Sequence, residues 1–373
     1  MMNLQTDREE LLSIATNAAR FVEKRTRIPI LGTVLIESNG RLVVSATDQE
    51  FGITQAIDCK SVTDGAVCVG AHMLVKLLKA LPGGVVRLNV KENNFLELSA
   101  GTASYKVAGF EASKFPAMPS NAESAESVTM PAALVAEMLT GVLYAASTDE
   151  TRLNLNGVYF AADAGTVRLC AMDRHRLALI ERPVADCPTI AGVILPKKFA
   201  TELLRLASKK DAESVTLAVK RSKKTRDTVF ATCGPVSIFG RVYEGEFPNY
   251  TRVITKEFAT RCEVDAEALR VSLGRVSLVS SERTHGVRLD CGELGLVVSA
   301  RNCDIGEASD KLPAAVNGPA ITAGFNARYL TDALARVSDG ESVELRFVDA
   351  ISPLTMFAPS DPGLTVVIIS MQL

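Results

Sequence analysis

The sequence predicts an α+β fold made of three tandem copies of one module, each module being a βαβββ half-unit used twice. Three spacings predict it. Glycines that open strand-like runs stand at Gly32, Gly157 and Gly286, 125 and 129 residues apart. The polar corners that close those runs, Asp48, Asp173 and Asn302, keep the same two offsets. So do the starts of a second helical stretch in each copy, at His72, Lys197 and Asn326. One period shared by three unrelated features marks an internal repeat of domain size. The stretch from Leu155 to Leu177 shows the pattern most plainly: strand, turn at Ala164-Gly165, strand, then the corner Asp173-Arg174-His175-Arg176. The 373 residues divide at two joints into modules 1–124, 125–253 and 254–373, a size that suits three domains.

Residues 6–25 carry Leu11, Leu12, Ala15, Ala18, Ala19 and Val22 at helical spacing, with Thr6 or Asp7 placed to cap the start. Strands at 31–37 and 41–47 hinge at Asn39-Gly40, a strong turn pair. After Ala66-Val67-Cys68-Val69 a second helix begins near His72, puts Leu74, Leu77, Leu78 and Leu81 on one face, and stops at Pro82-Gly83-Gly84. Strands follow at 85–90, 95–100 and 103–109. Residues 115–127 form a Pro/Ser-rich joint. The order then repeats: a helix over 131–147, the Leu155–Leu177 stretch, a strand at 192–195, and a helix from Pro196-Lys197 carrying Phe199, Leu203, Leu204 and Leu206. Strands at 215–219, 228–233 and 236–242 lead to a second joint, Phe247-Pro248-Asn249-Tyr250, which echoes Phe115-Pro116. The third copy has a helix from Asp265 to about 280, one from near Asn326 with Leu330, Ala333 and Leu334, and strands at 343–347, 354–358 and 364–369. Alternation such as Val215, Leu217, Val219 suits antiparallel sheets packed on one face, with the helices gathered on that side.

Apolar residues make up 47% of the chain, which argues against disorder. No apolar run is long enough to span a bilayer, and the start MMNLQTDREELL is too acidic for a signal peptide. Eight cysteines are scattered without a C-x-x-C pair, mostly in apolar strand-like runs, and read as reduced packing residues of a cytosolic protein. With only His72, His175 and His285 available, none beside a cysteine cluster, no metal site and no cofactor is expected.

The net charge of −2 hides a segregation. Helical stretches carry Lys76 and Lys79; Lys197, Lys198, Arg205, Lys209 and Lys210; Arg270 and Arg275; Arg328 and Arg336. Arg20, Lys24, Arg25 and Arg27 gather after the first helix's acidic turn. Two readings stay open: ordinary solvated helix faces, or a cationic lining that holds the phosphate backbone without reading bases. The helix at 131–147 has no Lys or Arg and breaks any uniform lining. The corner Asp173-Arg174-His175-Arg176 looks like an acid/base cluster, yet its counterparts are Asp48-Gln49-Glu50 and Asn302-Cys303-Asp304, so it reads as a polar turn and no catalytic residue is assigned. Gly83-Gly84 follows a helix rather than preceding one, and no phosphate-binding glycine loop or G-x-S-x-G is present.

A series of short motifs then carries a resemblance. Ile28-Pro29-Ile30-Leu31-Gly32 follows the first helix. Leu155-Asn156-Gly157, Asp173-x-His175-Arg176-Leu177-Ala178 and Phe247-Pro248-x-Tyr250-x-Arg252-Val253 come in the middle copy and its joint. Gly286-Val287-Arg288-Leu289, Gly324-Phe325-Asn326 with Tyr329, and Met371-x-Leu373 complete the order. Over its whole length the chain resembles the bacterial DNA polymerase III β subunit family, the replicative sliding clamps. The resemblance implies three DNA-clamp domains and a head-to-tail homodimer that forms a ring on duplex DNA, helices inside and sheets outside. It implies a non-catalytic processivity factor, nucleoid-associated in the cytoplasm, with the polymerase III catalytic subunit, the clamp loader and other clamp-binding-motif proteins as partners. A divergent clamp-fold scaffold that does not serve the main replicase is the alternative.

The same resemblance implies site residues. DNA contacts map to Arg25, Arg152, Lys197 and Lys198. A partner-peptide pocket maps to Leu155, Met172, Arg174, His175, Arg176 and Leu177; to Pro248, Arg252 and Val253; to Asn326 and Tyr329; and to Ile351, Val367, Ile369, Ser370 and Met371. An apolar groove with a few polar walls suits a short motif with hydrophobic anchors, though such residues also pack domain boundaries. The dimer contact maps to Tyr105 and Val107 on one side and Leu278 and Val279 on the other. Three departures bear on partner choice. Arg174 replaces the family's usual glycine, Ile369-Ser370-Met371-Gln372-Leu373 replaces its Met-Pro-Met-Arg-Leu ending, and Ser352-Pro353 replaces a small polar pair.

Overall fold

The computed structural model describes residues 2–23, 26–120 and 126–372. Six βαβββ half-units follow one another. The first is β1 (Asn3–Asp7), α1 (Arg8–Ala18), β2 (Thr33–Ser38), β3 (Leu42–Thr47) and β4 (Phe51–Ile57). After a short extra strand, β5 (Lys60–Thr63), the second is β6 (Gly65–Gly70), α2 (Ala71–Ala80), β7 (Val85–Val90), β8 (Phe95–Ala100) and β9 (Ala103–Ala108). The third is β10 (Glu126–Pro131), α3 (Ala132–Val142), β11 (Gly157–Asp163), β12 (Thr166–Met172) and β13 (Arg176–Pro183). The fourth is β14 (Ile190–Pro196), α4 (Lys197–Ala207), β15 (Ser214–Lys220), β16 (Thr228–Cys233) and β17 (Val236–Arg241). The fifth is β18 (Thr260–Asp265), α5 (Ala266–Val276), β19 (Gly286–Gly292), β20 (Gly295–Asn302) and β21 (Gly306–Leu312). Past the extra strand β22 (Ala314–Asn317), the sixth is β23 (Ile321–Asn326), α6 (Ala327–Leu334), β24 (Ser342–Phe347), β25 (Leu354–Ala358) and β26 (Asp361–Ile368).

Among the described residues every strand pair is antiparallel, and the strands form four sheets. Two sheets run across the repeat boundaries. In the eight-stranded sheet β17 pairs with β4, and in the nine-stranded sheet β13 pairs with β26. By contact density residues 1–133 with 205–242 make one unit, and 134–204 with 243–373 make the other. The middle repeat is thus shared between the two units.

The elements follow local chemistry. Asp7, Asp265 and Asn326 cap α1, α5 and α6 by accepting main-chain N–H bonds through their side chains. Ala164 and Gly165 both take positive φ (45° and 84°), as a tight turn matched to strand twist requires. In the first unit α1 packs on α2 and on β3 and β4, burying Leu11, Ile14, Ala15 and Ala18. Leu11 and Ile14 contribute about 2 kcal/mol each by leaving water. The buried Asn17 amide donates to Gln55 Oε1 (2.9 Å), and Gln55 Nε2 donates to the Ile14 carbonyl (2.9 Å), so one polar pair ties α1 to β4. The five cysteines Cys68, Cys170, Cys233, Cys262 and Cys291 are buried packing residues with free thiols.

Several expectations shift. The helix expected over 6–25 is α1 and a 3-10 turn ending at Phe21; Asp7 caps it, but Thr6 belongs to a strand. The strand expected from Leu31 starts at Thr33, because Pro29–Gly32 forms a 3-10 turn. The helix expected over 131–147 is α3 and a 3-10 turn, Leu143–Ala145. Of the joint expected at 115–127, residues 121–125 lie outside the described residues, and β10 begins at Glu126. Unforeseen strands include β1, β4, β5, β10, β13, β18, β21 and β22.

Candidate peptide groove and nucleic-acid contacts

The corner at 173–176 is built by its aspartate. Asp173 Oδ1 accepts from His175 N (2.7 Å) and Arg176 N (2.9 Å), an Asx turn that closes the β12–β13 hairpin. Its counterparts do the same: Asp48 Oδ1 accepts from Glu50 N and Phe51 N, and Asn302 Oδ1 from Asp304 N. The repeated polar residue is therefore a turn device, not an acid/base group.

With the corner fixed, β13 runs against β26 with Leu177 opposite Val367. Leu177, Val367, Cys170 and Leu179 form a buried apolar floor. Met172, Tyr159, Phe247, Tyr250 and Val253 pack on it and remain half-exposed. Tyr159 stacks on Phe247 (5.1 Å between ring centres, 24°), and Tyr250 closes the trio. The C-terminal segment makes a wall: Ile369 N donates to the His175 carbonyl and Met371 N to the Gly324 carbonyl, each at 2.8 Å. Ser370 Oγ donates to the Ile351 carbonyl, so the rim side chain Ile351, 77% exposed, is held beside the tail.

Opposite, His175 stacks on Tyr329 (5.9 Å, 16°). Arg176 is the keystone of that side. Its guanidinium bonds Asp173 (3.2 Å) and Asp332 (2.5 Å), lies 4.7 Å above the Tyr329 ring and 5.4 Å from that of Tyr144. Burial pushes the Tyr144 and Tyr329 hydroxyls up; Arg176 opposes this at Tyr144, and Asp173 adds to it at Tyr329. Asn326 spends its side chain as the α6 cap, accepting from Arg328 N and donating to the Thr284 carbonyl. Arg174 is exposed and reaches Asp149 at 3.4 Å. Hydrogen bonds from Thr151, side chain then main chain, hold the Asp149 carboxyl below its usual range. Leu155 is buried, Pro248 half-buried and Arg252 exposed.

Sequence reasoning overlooked Asp332 and Tyr144, which position Arg176, and the Tyr159–Phe247–Tyr250 trio. Phe247 and Tyr250 do stand out in the sequence, three residues apart in a joint of a chain with 5% aromatics.

Of the cations assigned to DNA, Arg25 lies outside the described residues. Arg152 is exposed, 3.9 Å from Asp149. Lys198 is exposed on the first turn of α4. Lys197 is half-buried and donates to the Ala146 carbonyl (3.0 Å); burial, then the nearby Arg176, lowers its pKa. Tyr105 and Val107 lie on β9, an edge strand of the five-stranded sheet. Leu278, 79% exposed, and Val279 lie in the 3-10 turn after α5; β21 is an edge of the four-stranded sheet. Among the described residues no group of three or more His, Cys, Asp or Glu is arranged to hold a metal ion. None of the described helices is long and apolar enough to cross a membrane.

Six βαβββ half-units, two per repeat, define a class: a repeat-built clamp fold. Models of the DNA polymerase III beta subunit match residues 2–119 (N-terminal domain), 129–249 (central domain) and 251–372 (C-terminal domain). A beta sliding clamp of Caulobacter vibrioides (strain NA1000) is 31% identical over 379 residues, covering all of both chains. That of Escherichia coli K12 is 25% identical over 374 residues, again covering both. The crystal structure of a DNA polymerase sliding clamp from Caulobacter crescentus matches with a TM-score of 0.91 and 30% identity over both full chains. That of the DNA polymerase III subunit beta from Pseudomonas aeruginosa gives 0.92 and 26%, with the same coverage. The chain belongs to the bacterial DNA polymerase III β subunit family, the β sliding clamps.

Proposed function

We propose that the chain is a sliding clamp: a non-catalytic processivity factor that encircles duplex DNA as a ring-shaped homodimer and tethers the replicative polymerase, in the cytoplasm at the nucleoid. The observation that carries the reading is the full-length correspondence to β sliding clamps at 31% identity, with every half-unit in place. The modules are 1–124, 125–253 and 254–373. Two different free edges, β9 with Tyr105 and Val107, and β21 near Leu278 and Val279, suit a heterologous contact, which closes into a ring when its rotation allows. Arg152, Lys197, Lys198 and Arg25 supply sequence-blind phosphate contacts that salt weakens, so the ring slides while topology retains it.

The groove over Leu177, Val367, Met172 and Tyr250, walled by His175, Tyr329 and the tail, takes hydrophobic anchors of a short linear motif from the polymerase, the clamp loader and other partners. Arg174 and the altered tail favour a second reading, a divergent scaffold with other partners. Loading on nicked circular DNA separates the two. A clamp stays on the circle and is lost on linearisation; equal dissociation from both forms contradicts the clamp and leaves the scaffold.

A further inference from the structure

The turn between β15 and β16, Lys220–Asp227, is the most cationic segment of the chain: Lys220, Arg221, Lys223, Lys224 and Arg226 against Asp227. It occupies the same place in its half-unit as the β24–β25 turn, which carries Ile351 at the groove rim. Where one turn is apolar, the other is basic. It is also ordered. Asp227 Oδ1 accepts from Ser222 N (2.9 Å), and Ser222 Oγ accepts from Thr225 N (3.0 Å). Arg221 pairs with Glu126 and Asp227, and Arg226 with Glu50. Lys223 and Lys224 stand exposed at the tip, without an acidic partner among the described residues.

We propose that this turn is a further nucleic-acid contact, a sequence-blind site for the phosphate backbone of duplex DNA carried by Lys223 and Lys224. Two arginines are spent holding the turn on the sheet, and two lysines, flexible point charges, are left for the ligand. Within 205–242 no large apolar side chain is exposed, so a peptide would find no pocket for an anchor there. The aromatic residues of that segment, Phe230 and Phe239, are buried, so an unstacked base would find no ring to rest on. Phosphates on a stacked duplex need neither. The site does not require encirclement and goes beyond the clamp reading.

The test is anisotropy of a short labelled linear duplex with the full-length protein over a salt series. Losing two phosphate contacts in K223A/K224A lowers the slope of log affinity against log salt by about 1.8. Low-salt affinity falls about tenfold, while K223R/K224R keeps both. The alanine variant unfolds at the wild-type temperature and still stays on nicked circles, so failure of the clamp reading would show separately, in retention. An unchanged slope and affinity in K223A/K224A would overturn the proposal. So would tighter binding of a single strand of the same length, or of a polyglutamate peptide, lost in that variant.

Discussion

Two seams of the molecule share one plan and differ in what fills them. In the first unit β4 pairs with β17; in the second β13 pairs with β26. Each seam begins at an Asx corner, Asp48 or Asp173, and four residues on stands Gly52 or Leu177. Gly52 faces Phe239 across its seam, as Leu177 faces Val367 across the other. The first seam fills itself. The Phe239 ring edge occupies the space a Gly52 side chain would take, and Phe239 packs with Phe230, Ala218 and Met118. Glu50, the counterpart of His175, is tied to Arg226. The second seam moves the bulk to Leu177 and leaves Met172, Tyr159, Phe247 and Tyr250 half-covered. The fold supplies two equivalent places, and side-chain volume decides how far each is filled.

The comparison can be broken from the filled side first. Gly52→Leu puts a Leu177-like side chain into the Phe239 ring and toward the Ala46 carbonyl, 2.9 Å from the new Cβ. Chemical denaturation should show a loss of about 3 kcal/mol. Adding Phe239→Val, the residue of the other seam, should return much of it; no recovery would mean that the two seams are not interchangeable. Next, His175→Ala with Leu177→Ala should weaken a polymerase-motif peptide at least about tenfold, roughly 1.4 kcal/mol, by calorimetry. The sedimentation of the protein should stay unchanged, and unaltered peptide affinity would put the site elsewhere. Replacing the corner residue should cost about 1 kcal/mol in either seam, since Asp173→Ala and Asp48→Ala each leave two turn N–H groups unpaired. Only Asp173→Ala should also reduce peptide affinity, through Arg176. Smallest, Arg226→Ala removes a surface pair with Glu50 and should cost less than about 1 kcal/mol.

Much of this was legible in the sequence, for identifiable reasons. The second helices start within one residue of the repeat spacing because Lys197 opens α4 and Asn326 caps α6. Strands with clear alternation, β7 and β8, and the nearly fully buried strands β16 and β25 match the expected bounds. What escaped was short, polar or edge structure. β5 is exposed at every residue, and β1 buries only Leu4 and Thr6, with its Asp7 serving as a helix cap. β10 begins inside a Pro/Ser-rich joint, where turn chemistry outweighs a short pattern. β13 was hidden by the charged corner that opens it. Family resemblance singled out Leu177, Val367, Met172 and Val253 of this apolar cluster, but not Cys170, Leu179 or the Tyr159–Phe247–Tyr250 trio. The groove's keystone contacts were not legible, because Arg176 meets Asp332 across 156 residues and the Tyr144 ring from the 3-10 turn after α3.

The most direct measurement is the stoichiometry of a polymerase-motif peptide on the purified protein by titration calorimetry. An open second seam and a filled first seam predict one peptide per chain, with binding lost in the His175→Ala, Leu177→Ala variant. Two equivalent peptides per chain, or one that survives that variant, would contradict it.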